Sequence, residues 1–302
     1  IAQCLVGSEM CIRDRCTLPA LILTIVFMIV PMVNAIYLSF TSSTALSVGF
    51  NSKFVFLDNY RYMFQDKDFL QALFNTLKLM LVIPAVTIFL SLVFAFILTQ
   101  GQLKEKSFYR TVFFFPSIVS MTVVGIVWSF VFNPTRGILN HMLDLFHLST
   151  WKHAWLGEGK TALWCIGAAL VWQAIGYYMV MHVASIDGIS QEVYEAASID
   201  GANRFKQMIH ITLPGILPIV LLMSAINVSN ILNAGFDQIF NLYNPVVYET
   251  GDIIDTYVYR AGLLDMQFSF ATAVGLLKSV VGCILLISCN QMAKKFTDQK
   301  IF

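Results

Sequence analysis

The chain has 302 residues, 57% of them hydrophobic and 12% charged, with a net charge of +1 and a mean hydropathy of +0.71. A soluble domain carries about 25% charged residues, so most of these apolar side chains must face something other than water. The near-zero charge excludes a basic nucleic-acid-binding face.

In chain order, the first fifteen residues, IAQCLVGSEMCIRDR, start without Met and place their charges after the apolar part, the reverse of a signal peptide. They are similar to translated sequencing-adapter read-through, and residues 1–16 are set apart as a non-native extension. Six apolar runs follow: 18–40, 74–99, 111–132, 161–184, 215–235 and 268–293. Each holds 21 to 26 residues, and a hydrocarbon core of about 30 Å needs about 20 helical residues to cross it. Pro31, Pro84 and Pro116 fall inside these runs, which is tolerable where neighbouring helices or water satisfy the freed carbonyls. The expected fold is an all-α membrane domain of six transmembrane helices over residues 17–302.

Orientation follows from the connecting loops. The segments 100–110, 185–214 and 294–302 hold eight Lys and Arg in 50 residues, whereas 41–73, 133–160 and 236–267 hold seven in 93. Positive charge collects on the cytoplasmic side of membrane proteins, which places both termini and the loop 185–214 in the cytoplasm of a multi-pass plasma-membrane protein. In the outer loop 236–267, Ile253, Ile254, Tyr257, Ala261 and Leu264 recur at helical spacing. They are expected to lie along the outer membrane surface or over the mouth of the bundle.

The loop 185–214 carries the most specific pattern. Ser190 is placed to cap a short helix, with Ile189, Val193, Ala196 and Ala197 on one face. Gly201 breaks the pattern where the backbone needs a turn. A second short helix then carries Phe205, Met208, Ile209 and Thr212 on one side, and Pro214 marks re-entry into the membrane. Small alanine side chains let a partner approach the backbone closely, and a short rigid helix transmits a push to the spans at its ends.

These residues resemble the cytoplasmic signature of ABC-importer permeases, the EAA loop: Glu195-Ala196-Ala197, three residues, Gly201, nine residues, then Ile211-x-Leu213-Pro214. The resemblance extends over residues 18–302 and is nearest the carbohydrate permeases of the complex-carbohydrate, aldouronate-like type. FVFLDNYRYMF (54–64), NTL (75–77) and FDQIFNLYNPVVYETGDIIDTYVYRAGL (236–263) carry that part. It implies a type I ABC importer permease fold and a helix, ending near Asp200, seated in a cleft of a separate ATPase. Glu195 would make polar contacts there, Ala196 and Ala197 would pack closely, and Gly201 would permit the turn. It also implies pairing with a second, different permease, two ATPase subunits that bind ATP and Mg, and an extracellular sugar-binding lipoprotein. The chain itself is then a transport subunit without a cofactor, and the short tail after Lys295 agrees with an ATPase on another chain.

Polar groups inside spans are costly and usually face the bundle interior. Asn227, Asn230 and Asn233 share one broad face of the fifth run, and Lys278 lies near the middle of the sixth. Together with Trp172, Tyr177 and Tyr178 they read as a sugar pathway, with amides bonding hydroxyls and rings offering a flat face. Interhelical hydrogen bonding explains the asparagines equally well. A buried Lys278 would suit an acidic sugar.

Other patterns are set aside. AWLGEGKT (154–161) matches a relaxed P-loop but follows no hydrophobic strand and lies on the outer side. His141, His147 and His153 recur every six residues, a spacing that spreads them round a helix. Cys165, Cys283 and Cys289 read as small hydrophobes within spans. A permease for a non-sugar solute is the alternative. A secondary transporter would want a coupling-ion carboxylate or inverted repeats, neither of which is visible.

Overall fold

The structure, a computed structural model, describes residues 17–42, 52–100, 104–229, 232–233, 235–242 and 248–297. The extension 1–16 and Asn230 lie outside the described residues. The described chain divides into two compact units: Ile1–Asp66 with Val258–Ser279, and Lys67–Tyr257 with Val280–Phe302.

The first unit opens with α1 (Thr17–Ser39), whose apolar core window has no buried residue. A two-residue antiparallel ladder follows, β1 (Thr41–Ser42) on β2 (Lys53–Phe54), then α2 (Asp58–Gln65). Asn59 Nδ2 on α2 donates to the carbonyls of Ser39 (2.7 Å) and Thr41 (2.9 Å), which closes the end of α1. The segment 54–64 therefore folds back as a clasp, with Phe40, Phe54, Phe56 and Tyr60 stacked together.

The second unit is built on two long helices, α3 (Lys67–Gln100) and α7 (Gly159–Asp187). Leu79 and Ile83 of α3 pack with Leu163, Ile166 and Ala169 of α7, and Ala95 and Leu98 pack with Met179, Val183 and Ile186 further along. Between α3 and α7 the chain forms α4 (Lys106–Ile118), α5 (Met121–Val131) and a short surface helix α6 (Ile138–Leu145). Lys106 Nζ donates to Thr99 O at 2.9 Å, a cation on the last carbonyls of α3, where the helix dipole favours it.

The third apolar run is not one straight helix. α4 and α5 meet at 99° across Val119 and Ser120, both in extended conformation. Pro116 has already removed one hydrogen bond from this end of α4. The carbonyl of Val119, free of any helical donor, takes Gln173 Nε2 of α7 at 2.9 Å. Gly176, one turn further along α7, lets α4 come so close that a Cβ there would sit 1.9 Å from Phe113 O. A small residue at a crossing point brings two membrane helices backbone to backbone.

After α7 come α8 (Gln191–Ile199) and a continuous rod, α9, made of Arg204–Gln207, a π-turn Met208–Thr212 and Leu213–Ser229. The fifth span thus begins well before Gly215, and its described helix runs to Ser229. The expected second loop helix is its first two turns, because the π-turn Met208–Thr212 carries the helix on into Leu213–Ser229 without a break. α10 (Phe236–Leu242), α11 (Tyr248–Gly251), α12 (Ile254–Tyr259) and α13 (Phe268–Thr297) complete the chain. Ile253, Ile254 and Tyr257 do not lie on a surface; they are buried. Asn75 Nδ2 donates to Asp252 O at 3.1 Å and Ile254 N donates to Thr76 Oγ1 at 2.9 Å, which ties this segment to α3. Leu264, by contrast, is exposed.

The helices keep large apolar side chains outward, among them Phe27, Phe89, Phe115, Ile118 and Phe130, as expected of surfaces solvated by lipid. Gly176→Ala drives a methyl into backbone rather than into a movable side chain. It is expected to cost about 1–3 kcal/mol of stability, read as a lowered melting temperature in detergent. Gly275→Ala, whose Cβ meets nothing within 4 Å, is expected to be neutral or slightly stabilising.

Candidate functional site

The loop between α7 and α9 is a rigid unit. Ser190 caps α8, its hydroxyl accepting from Glu192 N at 3.3 Å, and Asn203 caps the start of α9, accepting from Lys206 N at 2.9 Å. Gly201 joins them at φ +77°. Its Cβ position meets nothing within 4 Å, so glycine is needed there for the backbone turn alone.

α8 is bolted to the root of α9 by polar side chains. Tyr194 is buried and its hydroxyl lies 2.8 Å from Thr212 Oγ1. Gln207 Nε2 donates to Ser198 Oγ at 2.8 Å and to Ala202 O at 3.3 Å. The Ile189 side chain presses on Gly215, where an added Cβ would come within 2.7 Å. On the other end of the unit, Arg110 of α4 pairs with Asp187 at 3.2 Å.

The apolar side is turned outward. Ile199 is 88% exposed, and Val193, Phe205 and Ile209 are exposed too. Ala196 and Glu195 are exposed and Ala197 is half-buried. Glu195 forms no ion pair among the described residues. Of the two expected faces, Ile189 and Thr212 turn inward, whereas Val193, Phe205 and Ile209 stay exposed. Tyr194, Gln207 and Thr212 make the polar part of the internal contact, and the larger apolar side chains Val193, Ile199 and Phe205 stay open. Ile211 is half-buried, while Leu213 and Pro214 are exposed on the first turn of the Leu213–Ser229 segment.

Within the second unit, the candidate pathway residues line two different cavities. Tyr177, Tyr178, Asn227 and Asn233 line one cavity of about 340 Å³, with Gln173 and Gln238 also in its wall. Tyr178 OH donates to Asn227 Oδ1 at 2.9 Å, and Asn227 Nδ2 donates to Met223 O at 2.8 Å. Trp172 lines a different, apolar groove of about 770 Å³ between α3, α4 and α7, edge-on to Trp128. Lys278 is half-buried on α13 and belongs to the first unit.

A family model, that of the binding-protein-dependent transport system inner membrane component, matches residues 71–296. The chain belongs to this family. It is accordingly a multi-pass inner-membrane transport subunit that works with a binding protein, not an enzyme in its own right. It is similar to the diacetylchitobiose uptake system permease protein NgcF of Streptomyces coelicolor, with 34% identity over 85% of this chain and 75% of that one. The polygalacturonan/rhamnogalacturonan transport system permease protein YteP of Bacillus subtilis is 30% identical over 94% of this chain and 88% of its own length. A crystal structure of a bacterial ABC transporter involved in the import of the acidic polysaccharide alginate superposes with a TM-score of 0.86 at 26% identity, over 98% of this chain and 100% of that one. The fold is that of a type I importer permease, as expected from the sequence.

Within this family frame, the sequence missed the lock inside the loop. Thr212 was placed on one side of the second helix with Phe205, Met208 and Ile209, but no apolar periodicity announces Tyr194 or Gln207. Gln238 was also missed. It lies in the segment 236–263 that carried the resemblance, but only the packing of α10 shows that it is buried.

Tyr194→Phe removes the bond to Thr212 and is expected to cost about 0.5–1.5 kcal/mol, with earlier hydrogen exchange in α8 than in α7. Gly201→Val is expected to be worse than Gly201→Asn, because Asn tolerates positive φ and a β-branched side chain does not; yields of folded protein in detergent check the order.

Proposed function

We propose that the chain is one of two permease subunits of an ATP-driven importer of sugars or oligosaccharides, with both termini and the loop 185–214 in the cytoplasm. The loop receives a separate ATPase, which binds the ATP and Mg, and an extracellular sugar-binding lipoprotein delivers the solute. One observation carries the coupling role: α8 is capped, locked to α9 by Tyr194, Gln207 and Thr212, and yet leaves Val193, Ile199 and Phe205 uncovered. A rigid unit with an open apolar side fits a partner better than it fits water.

In this reading Glu195 contacts the ATPase, Ala196 and Ala197 allow close approach, and Gly201 holds the turn. Ile211, Leu213 and Pro214 begin the rod. Because α9 runs from the loop into the fifth span without a break, displacement of α8 is carried directly along that span. The exposed α1 supports pairing with a second permease, since none of the described residues buries its apolar stretch. The sugar assignment is supported by what the relatives are named for and by a cavity walled with amides and phenols. Trp172 lines a separate apolar groove of the same unit, so the pathway is proposed on the cavity alone.

Co-expression with the second permease, the ATPase and the binding protein tests the reading in proteoliposomes. Sugar uptake and ATP hydrolysis should both rise on adding loaded binding protein. Gly201→Asp should abolish uptake, by loss of coupling or of ATPase docking, while the spans still insert. Uptake driven by an ion gradient without the ATPase would exclude the ATP-driven mechanism.

A further inference from the structure

We propose that Gln238 and Thr87 form the recognition site for an uncharged glycosyl unit in the cavity shared by α3, α7, α9 and α10, an inference that rests on the sugar-import reading. Most polar side chains in this wall already have a protein partner. Gln173 donates to Val119 O, Ser117 Oγ to Phe114 O, and Tyr178 and Asn227 bond each other. Gln238 differs: it is 0% exposed, and neither its Oε1 nor its Nε2 has a partner among the described residues. Thr87 Oγ1 is buried and unpartnered as well. Other helical threonines here, Thr76, Thr99 and Thr272, fold their hydroxyls back onto the carbonyl four residues earlier, and Thr87 does not.

Buried polar groups are almost always hydrogen-bonded, and an exception calls for an explanation. Loose packing does not supply one. α10 is pressed onto α5 so closely that a Cβ on Gly125 would lie 2.9 Å from Gln238 O, and the adjoining Ile239 belongs to the aliphatic core. Leucine would fill such a site at less cost than an amide with nothing to bond. The unused groups match a ligand.

The chemistry of the wall narrows that ligand. Gln238 offers donors and an acceptor side by side, which adjacent sugar hydroxyls meet because each hydroxyl both donates and accepts. A uronate's carboxylate only accepts, so where it meets the amide it would leave Oε1 unpaired and bring negative charge against it. Among the described residues no Lys or Arg lines this cavity, so none of them would neutralise a uronate there. Tyr177 provides a ring for the apolar face of a pyranose, and a volume of about 340 Å³ is at the small end of ligand pockets, suited to a short stretch of chain at a time. Since Gln238 has no accessible surface, its side chain must turn out of the wall to engage the sugar. Recognition is thereby linked to a rearrangement of the cavity.

The test uses the complete importer in nanodiscs without its binding protein, with cellobiose and digalacturonate as probes in equilibrium dialysis. Cellobiose should bind to the wild type, at least ten-fold more weakly to Gln238→Leu, and measurably more weakly to Thr87→Val. Digalacturonate should bind no better than to empty nanodiscs. The ligand-free Gln238→Leu importer should melt no lower than wild type, because the substitution removes an unsatisfied amide. Unchanged cellobiose binding in Gln238→Leu would overturn the proposal, as would equal binding of the two probes or no cellobiose binding to wild type. A lowered melting temperature for Gln238→Leu would assign the amide to structure and overturn it too. Failure of the sugar-import reading is seen separately, as absence of any binding-protein-dependent sugar uptake by the wild-type importer.

Discussion

The second unit is organised around the close approach of α4 to α7. Phe113 O lies against Gly176, and the carbonyl of Val119, freed by the break in the third span, is satisfied by Gln173. In a bilayer core a bare carbonyl finds no water, so a broken helix survives only where protein supplies the missing donor. Gly176 and Gln173 stand three positions apart on one face of α7, and between them they both admit the bent span and pay for its break. The cavity with Tyr177, Tyr178 and Asn227 lies beside this crossing, so its walls are held by the same contact.

A second constraint operates at the loop. Helices of nine residues are marginal alone, and α8 is kept helical by its Ser190 cap and by the Tyr194–Thr212 and Gln207–Ser198 bonds. Using polar side chains for the internal contact frees the hydrophobic ones for an external partner. The same choice makes α8 and the root of α9 one mechanical piece. A loop docked only through apolar packing to its own chain would have nothing left to offer an ATPase.

Much of the fold was legible because bilayers impose length. Runs of 21 to 26 apolar residues mark spans whatever their neighbours do, and the loop signature marks itself by spacing. The Ser190 cap and the Gly201 turn were readable for a similar reason, since each is decided within a few residues. The burial of Ile253, Ile254 and Tyr257 was not, because an amphipathic stretch looks the same beside a membrane surface as it does against α3. The split of the pathway residues was equally hidden: Trp172 and Gln173 are adjacent in sequence yet line different cavities, since consecutive residues on a helix point about 100° apart.

The sequence by itself determined that the chain is a six-run, all-α membrane permease with a capped helix, a glycine turn and an EAA-type signature. Hydrophobic length, caps and positive φ are local properties, complete within one stretch of chain. Only the tertiary structure decided that the third span bends through 99°, that the second loop helix is the root of the fifth span, and that Gln238 is buried without a partner among the described residues. Each of those depends on which backbone comes close to which, and such approaches are set by residues distant in sequence, as Gly125 and Gly176 are from the segments they admit.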